Sequence, residues 1–317
     1  MRHETPLRDR GHGRWPGILS ALGVPATALN TRKHHPCPWC GGKDRFRFTD
    51  KDGSGAFYCG QCGSHSPVDY LMQVNGWDFA KAAREVESVI GDVKVRPAKS
   101  KSGDGSRKAM QTLWDHAQPI SADDFVDQWF AGRGIRQPSY CRWLRKIDRC
   151  EYVDEDDAKS SHPAMVAKIL APDGTPTNIH RTYLTLNGQK ASVGSARKVM
   201  AGGIAKGSAI RLFDAGPALG VAEGIETAFA AAALFDVPVW STINSTILSS
   251  WEAPAGAEQI IIFGDNDPQF GGQAAAMALA HRLACNKRRP VSVRIEIPPV
   301  TGQDWNDVLL AKGSKAA

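Results

Sequence analysis

Two sets of side chains could do chemistry. The first is four cysteines in two Cys-x-x-Cys pairs, Cys37/Cys40 and Cys59/Cys62, with eighteen residues between the pairs. Each pair lets two thiolates reach one ion, and the glycines after each pair permit the tight turns. Four thiolates close a tetrahedral shell around one structural Zn²⁺ and leave no position for water. His34, His35 and His65 lie nearby but stay outside a shell that four sulfurs already fill. The second set is acidic. Asp265 and Asp267 follow the apolar run Ile260–Phe263 and Gly264. On an extended backbone both carboxylates point to one side. Held close, they repel one another and call for a divalent cation, for which hard oxygen ligands select Mg²⁺ or Mn²⁺. A lone Asp-x-Asp is more often a surface turn. A second acid built on the same plan shifts that balance: Glu223 follows the apolar run 218–222 and precedes Gly224.

The elements that position the acids form an alternating series. Strands are expected at 218–222, 238–242, 260–263 and 291–297, and helices at 226–235, 244–251, 273–284 and from about 304 onward. Short buried strands alternating with helices predict a parallel sheet flanked by helices, which gathers its ligands at the carboxyl ends of the strands. The cysteines sit instead on a small β module. There Arg45-Phe-Arg-Phe48 alternates basic and aromatic residues, Lys51–Gly55 turns the chain, and Phe57 and Tyr58 return on the partner strand. Lys43, Arg45 and Arg47 beside exposed rings would grip single-stranded nucleic acid through phosphate contacts and base stacking. Rings that merely pack the module are the competing reading. A Ser66-Pro67 start and Asn75-Gly76 mark two following helices, the second at 77–90.

The expected organisation is a basic, partly disordered lead-in at 1–33, the zinc module at 34–95 and a flexible Gly/Ser-rich basic linker at 96–112. A basic α+β segment at 113–214 and the acid-bearing domain at 215–317 complete it. In the α+β segment, helices are expected near 109–118, 122–132 and 138–146, and a hairpin pairs 165–170 with 178–185. Arg181, Lys190, Arg197, Lys198 and Arg211 would give it a basic surface; solvated charges on hairpin edges are the alternative. Cys141 and Cys150 have no paired partners and read as structural thiols.

Composition sets looser bounds. The chain has 317 residues, a net charge of +6 and 42% hydrophobic residues. That supports two or three folded domains and is compatible with a polyanionic partner. The polar, charged start is no secretory signal, and no apolar run is long enough to span a membrane. Paired cysteines in this setting indicate metal binding rather than disulfides, and a cytoplasmic location in a bacterial host is expected.

The stretch His35-Pro-Cys-Pro-Trp-Cys-Gly-Gly-Lys-Asp-Arg-Phe-Arg-Phe48 followed by Cys59-Gly-Gln-Cys-Gly63 resembles the zinc ribbon of phage and plasmid DNA primases, the primase–helicase class of phages P4 and T7. The resemblance covers residues 34–90 and implies a module that helps choose the template site. Residues 113–214 are similar to the segment that precedes the catalytic fold in these primases, which implies that Arg181, Lys190, Arg197, Lys198 and Arg211 supply a basic surface for template and nucleotide triphosphates. Residues 215–310 look like the Toprim fold shared by bacterial-type primases, topoisomerases and some nucleases. Glu223 matches its glutamate and Asp265 and Asp267 its Asp-x-Asp pair. Asp304 resembles a further acidic position, with Asp307 as its rival for the metal. The resemblance implies a primase that makes short RNA primers on single-stranded DNA for a phage, plasmid or other mobile element. Asp265 and Asp267 would be metal ligands, Glu223 a ligand or general base, and Asp304 a helper. No Gly-x₄-Gly-Lys-Ser/Thr motif occurs, so a helicase motor is expected to be a separate partner. The alternatives are another Toprim enzyme, nuclease-like, and a zinc-ribbon DNA-binding or regulatory protein with an inactive Toprim domain.

Overall fold

A computed structural model describes residues 6–91, 93, 103–136, 141–154 and 156–315. The chain divides into two compact units, 1–101 and 102–317.

The first unit is a four-stranded antiparallel sheet in the order β1 (His35–Cys37), β2 (Gly41–Phe48), β3 (Phe57–Cys59), β4 (Gly63–His65). Two helices follow it, α3 (Pro67–Asn75) and α4 (Phe79–Ile90). Ser66 caps α3 in a reciprocal box with Asp69, so the Ser-Pro start works as expected. The lead-in is not a loose tail over its described part. It forms α1 (Leu7–Arg10) and α2 (Trp15–Ala21), and Trp15, Ile18 and Leu19 share one core with Phe46, Phe48, Phe57 and Tyr70. Gly55, at φ +68°, lies flat against Trp15, where any Cβ would fall 2.3 Å from the indole side chain.

The second unit begins with α5 (Gly103–His116), so a helix occupies 103–112 of the stretch read as a linker; residues 96–102 lie outside the described residues. After α6 (Phe125–Ala131) comes an antiparallel sheet of β5 (Leu144–Val153), β6 (Lys159–Leu170), β7 (Pro176–Tyr183) and β8 (Arg197–Val199). The helix expected at 138–146 is absent over its described part, since β5 starts at Leu144; residues 137–140 are not described. Charged residues between Leu144, Cys150 and Tyr152 resemble a helix pattern, but those three are buried at period two or a bulge from it, and the strand's pairing shifts register between Ile147 and Cys150.

The remainder is the expected βα series: β9 (Ala218–Ala222), α7 (Ile225–Phe235), β10 (Val239–Ser241), α8 (Ser245–Ser250), β11 (Gln259–Phe263), α9 (Gly271–Ala284), β12 (Ser292–Glu296) and α10 (Trp305–Lys315). Its strands are all parallel, in the order β10-β9-β11-β12. The short segment Ala209–Ile210 bridges to Leu170 on one sheet and Ser241 on the other. One apolar cluster, including Phe130, Met165, Ile210, Phe229 and Phe263, runs through both sheets' helices. The α+β segment and the parallel sheet therefore form one folded body.

Candidate active site

The acids meet where the strand order reverses. β9 lies between β10 and β11, and Ala222 pairs with Phe263 in register. The residues after these two, Glu223 and Gly264–Asp265, leave the sheet side by side at its carboxyl edge. Glu223 is fixed through its backbone: its carbonyl accepts the Ile243 N–H at 2.7 Å and the Ser241 hydroxyl at 2.8 Å. Ile243 holds φ +76°, a costly conformation for a β-branched side chain, and it faces the same cavity. Asp265 is approached by the start of α9. A Cβ on Gly272 would fall 2.6 Å from the Asp265 carbonyl oxygen, so only glycine lets the helix begin there.

Glu223, Asp265, Asp304 and Asp307 line one cavity of about 320 Å³. Burial, then Asp265 and Asp267, pushes the Glu223 carboxyl up to about 8. Burial, then Asp304 and Asp267, pushes Asp265 up to about 7. Asp304 is also raised, mainly by burial. Three carboxyls that resist ionising beside one another form a site that a cation would relieve. The Oδ1 of Asp265 is buried with no hydrogen-bond partner, an orphaned acceptor aimed at nothing in the protein.

Asp267 is placed differently from the expectation of two parallel carboxylates. Its Oδ2 accepts the Gly272 N–H at 2.7 Å at the start of α9, and it is not among the residues lining the cavity. The strand ends at Phe263 and the Asp267 carboxylate is drawn to the start of α9, so the period-two argument fails there. Asp304 and Asp307 both reach the cavity because they cap α10 reciprocally. Asp304 Oδ1 accepts the Asn306 and Asp307 N–H groups, and Asp307 Oδ2 accepts the Asp304 N–H at 3.0 Å. Asp304 Oδ2 is left to the Thr227 hydroxyl at 3.5 Å. Among the described residues, only the four cysteines bring three or more ligand atoms within 4.8 Å of each other. The acids stand wider apart. That spacing suits a Mg²⁺-like ion, which keeps several waters and takes one or two carboxylates plus substrate phosphates.

The opposite wall is cationic, and sequence reading found only part of it. Arg197 pairs with Thr182 across β8 and β7, Lys198 with Arg181, and Val199 with His180. Directly opposed residues share a face. Arg197 and His180 therefore line the cavity, while Arg181 and Lys198 lie on the other face. There Lys198 Nζ donates to the Val153 carbonyl at 2.6 Å and Arg181 to the Glu151 and Val199 carbonyls. Arg211 donates to the Ala171 and Pro172 carbonyls and sits over Trp240, away from the acids. Lys190 is exposed beside its bridge to Leu184. Arg133, His180, Glu226, Thr227 and Asn306 also line the cavity and were missed. Glu226 did leave a signal, as the one charge in the mostly apolar helix Ile225–Phe235.

In the first unit the four cysteine sulfurs converge, with Cys37–Cys62 at 3.9 Å and Cys40–Cys59 at 3.7 Å. Burial pushes the Cys62 thiol up, whereas at Cys59 backbone N–H groups of Cys62 and Gln61 outweigh burial and pull it down. A soft divalent ion would remove that conflict by deprotonating all four. The expected exposed rings are not there: Phe46, Phe48 and Phe57 are at most 3% exposed, and the ring of Tyr70 stacks on Phe57 at 4.0 Å. Lys43, Arg45 and Arg47 share the opposite, outward face of β2, where Arg47 is paired with the half-buried Tyr58. Cys141 and Cys150 are buried free thiols, and burial pushes Cys141 up to about 11.

Residues 32–68 match the zinc-binding domain of primase-helicase, residues 104–212 a domain of unknown function, DUF7146, and residues 218–315 the Toprim domain. This chain joins a primase-type zinc ribbon to a Toprim domain. Solved structures similar to it include the zinc-binding and RNA polymerase domains of Aquifex aeolicus primase, at 12% identity over 98% of this chain and 83% of that one, TM-score 0.43. The primase fragment of the bacteriophage T7 primase-helicase protein is similar at 16% identity over 89% and 95%, TM-score 0.43. A DNA primase domain from Pseudomonas aeruginosa is similar at 14% identity over 66% and 76%, TM-score 0.44. No helix among the described residues is long and apolar enough to cross a membrane.

Proposed function

We propose that this protein is a DNA primase that makes short RNA primers on single-stranded DNA, in the replication of a phage, plasmid or other mobile element. The observation that carries the reading is the unpartnered, buried Oδ1 of Asp265, set in a carboxylate cavity at the Toprim sheet's carboxyl edge. Bound there, Mg²⁺ or Mn²⁺ would neutralise charge on the reacting phosphate and lower the pKa of the attacking hydroxyl. Asp265, through its unpartnered oxygen, and Asp304, through the Oδ2 left to the Thr227 hydroxyl, would hold it. Asp267 supports them by fixing the start of α9 and by the negative charge that raises its neighbours. Glu223, whose carboxyl is pushed up to about 8 in the absence of a cation, would once ionised be a ligand or the group that takes the proton of the attacking 3′ hydroxyl. Arg197 meets the triphosphate. Lys43, Arg45 and Arg47 contact the template's phosphates from the outer face of the ribbon, whose four cysteines hold one structural Zn²⁺. Duplex opening falls to a separate replicative helicase.

The test is to incubate the protein with single-stranded DNA, labelled ribonucleoside triphosphates and Mg²⁺. Short RNA products that disappear in Asp265→Ala, with DNA binding retained, support the reading. DNA cleavage without synthesis, or DNA binding with neither activity, rejects it.

A further inference from the structure

Glu226 is ionised and buried, yet it does not belong with the other acids. Its carboxylate is 6% exposed as a residue, and one oxygen, Oε1, accepts both the Arg197 guanidinium at 3.0 Å and the Trp129 indole N–H at 3.1 Å. Burial opposes its charge, but Arg197, hydrogen bonds and Arg133 outweigh burial and hold the carboxyl below its ordinary value. Trp129 in turn carries Arg133, whose guanidinium lies 3.1 Å from the indole ring centre. The backbone of Arg133 is tied to the α10 start by the Asn306 amide, which donates to its carbonyl at 2.8 Å.

Arg197 is thus ion-paired to Glu226, and Arg133 lies over Trp129 beside them, on the wall that faces the acids. Burial and Arg197 pull the Arg133 pKa down, against Glu226 and Asp304. His180, 6% exposed, gives the sign of a missing ligand: its Nδ1 is buried with no hydrogen-bond partner, on the same wall. A wall with two guanidinium groups and an idle imidazole nitrogen, opposite carboxylates that call for a cation, fits an anion bridged to that cation. Arg197 is about half exposed along its side chain and would sample many rotamers if nothing held it.

We propose that Glu226 is a positioning residue: it fixes Arg197 so that the guanidinium meets a phosphate group of the incoming nucleoside triphosphate. The proposal rests on the primase reading for the identity of that phosphate. Glu226 touches neither substrate nor metal in this role. It holds the guanidinium in place before the ligand arrives, which removes the cost of ordering it on binding.

A double-mutant cycle tests this with wild type, Glu226→Ala, Arg197→Ala and the double variant. The readouts are KM for the ribonucleoside triphosphate at saturating template, kcat, and calorimetric binding of magnesium pyrophosphate. Arg197→Ala is expected to raise KM about tenfold, as loss of a charge-assisted hydrogen bond does. Glu226→Ala should raise KM about three- to tenfold, with kcat changed less. The double variant should match Arg197→Ala alone. Additive losses, or a Glu226→Ala effect that persists at full size without Arg197, overturn the positioning role. If Glu226→Ala does not fold, Glu226→Gln takes its place; it keeps the shape and the acceptor oxygen and is expected to weaken binding less than Arg197→Ala, and equal or greater weakening overturns the proposal. Should the wild type bind magnesium pyrophosphate yet make no primer, the primase reading fails and the cycle is read on binding alone. A wild type that does not bind magnesium pyrophosphate overturns the proposal.

Discussion

Replacing Asp265 by asparagine should stabilise the protein in the absence of Mg²⁺, although it removes a proposed ligand. Asp265 titrates near 7 in the fold against 3.8 ordinarily, so ionising it in the folded state costs about 4 kcal/mol more than in the unfolded chain. Raised carboxyls bind their proton more tightly when folded. The contribution of this cavity to stability is therefore greatest at acid pH, falls as pH rises from about 4, and reaches its lower plateau above about 8, once Glu223 has also ionised. Asparagine keeps the shape and deletes the charge. Part of the gain is shared with Glu223, whose own carboxyl relaxes when Asp265 is neutral, and Asp265 retains some solvent. A difference of roughly 2–3 kcal/mol in favour of the variant at pH 8 is expected, shrinking to roughly 1 kcal/mol at pH 5 and vanishing only at about pH 3. The assay is urea unfolding of the zinc-loaded full chain without Mg²⁺ at both pH values, read at the transition of the larger unit. Adding Mg²⁺ should raise the wild type and leave the variant nearly unmoved, closing the gap. A variant no more stable than wild type at pH 8 without Mg²⁺ would refute the charge-repulsion argument for this cavity.

Cys59→Ser should release the zinc, measured by metal content, and loosen the first unit while amide exchange in residues 218–310 stays native; loss of protection there would contradict two separately folding units. Lys198→Ala should leave the triphosphate KM within about twofold of wild type, because its amine is spent on the Val153 carbonyl on the far face; a rise matching that of Arg197→Ala would contradict the strand register. Asp304→Ala removes the α10 N-cap and should lower stability by about 1 kcal/mol besides impairing synthesis. Asp304→Asn, which keeps a capping oxygen, should recover the stability but not the synthesis, and recovery of both would confine Asp304 to the cap.

The zinc set and the Toprim strands were legible because their signals are local. Each cysteine pair needs only its own turn, and the two central strands, β9 and β11, are apolar runs closed by an acid or a glycine. Glu223 and Asp265 could be placed at one edge because parallel strands end together. What escaped reading depends on distant partners. Phe46, Phe48 and Phe57 look like stacking rings until Trp15 from α2 and Tyr70 from α3 cover them. Asp267 looks parallel to Asp265 until Gly272 claims its oxygen. Among five basic candidates in the middle segment, only Arg197 reaches the acids, and nothing short of the β7–β8 pairing decides that. Glu226 was passed over because a lone helical glutamate gains its meaning from Arg197 and Trp129, far away in the chain.

That pairing leaves the cavity's chemistry dependent on a three-residue edge strand. β8 carries Arg197 and Lys198 in succession, and β strands present neighbours to opposite sides. One residue gained or lost in the loop between Tyr183 and Arg197 that slid β8 by a single step would expel the planar, forked guanidinium and swing a lone ammonium into its place. Homologues that vary in this loop should therefore change length in pairs of residues, or compensate with a bulge.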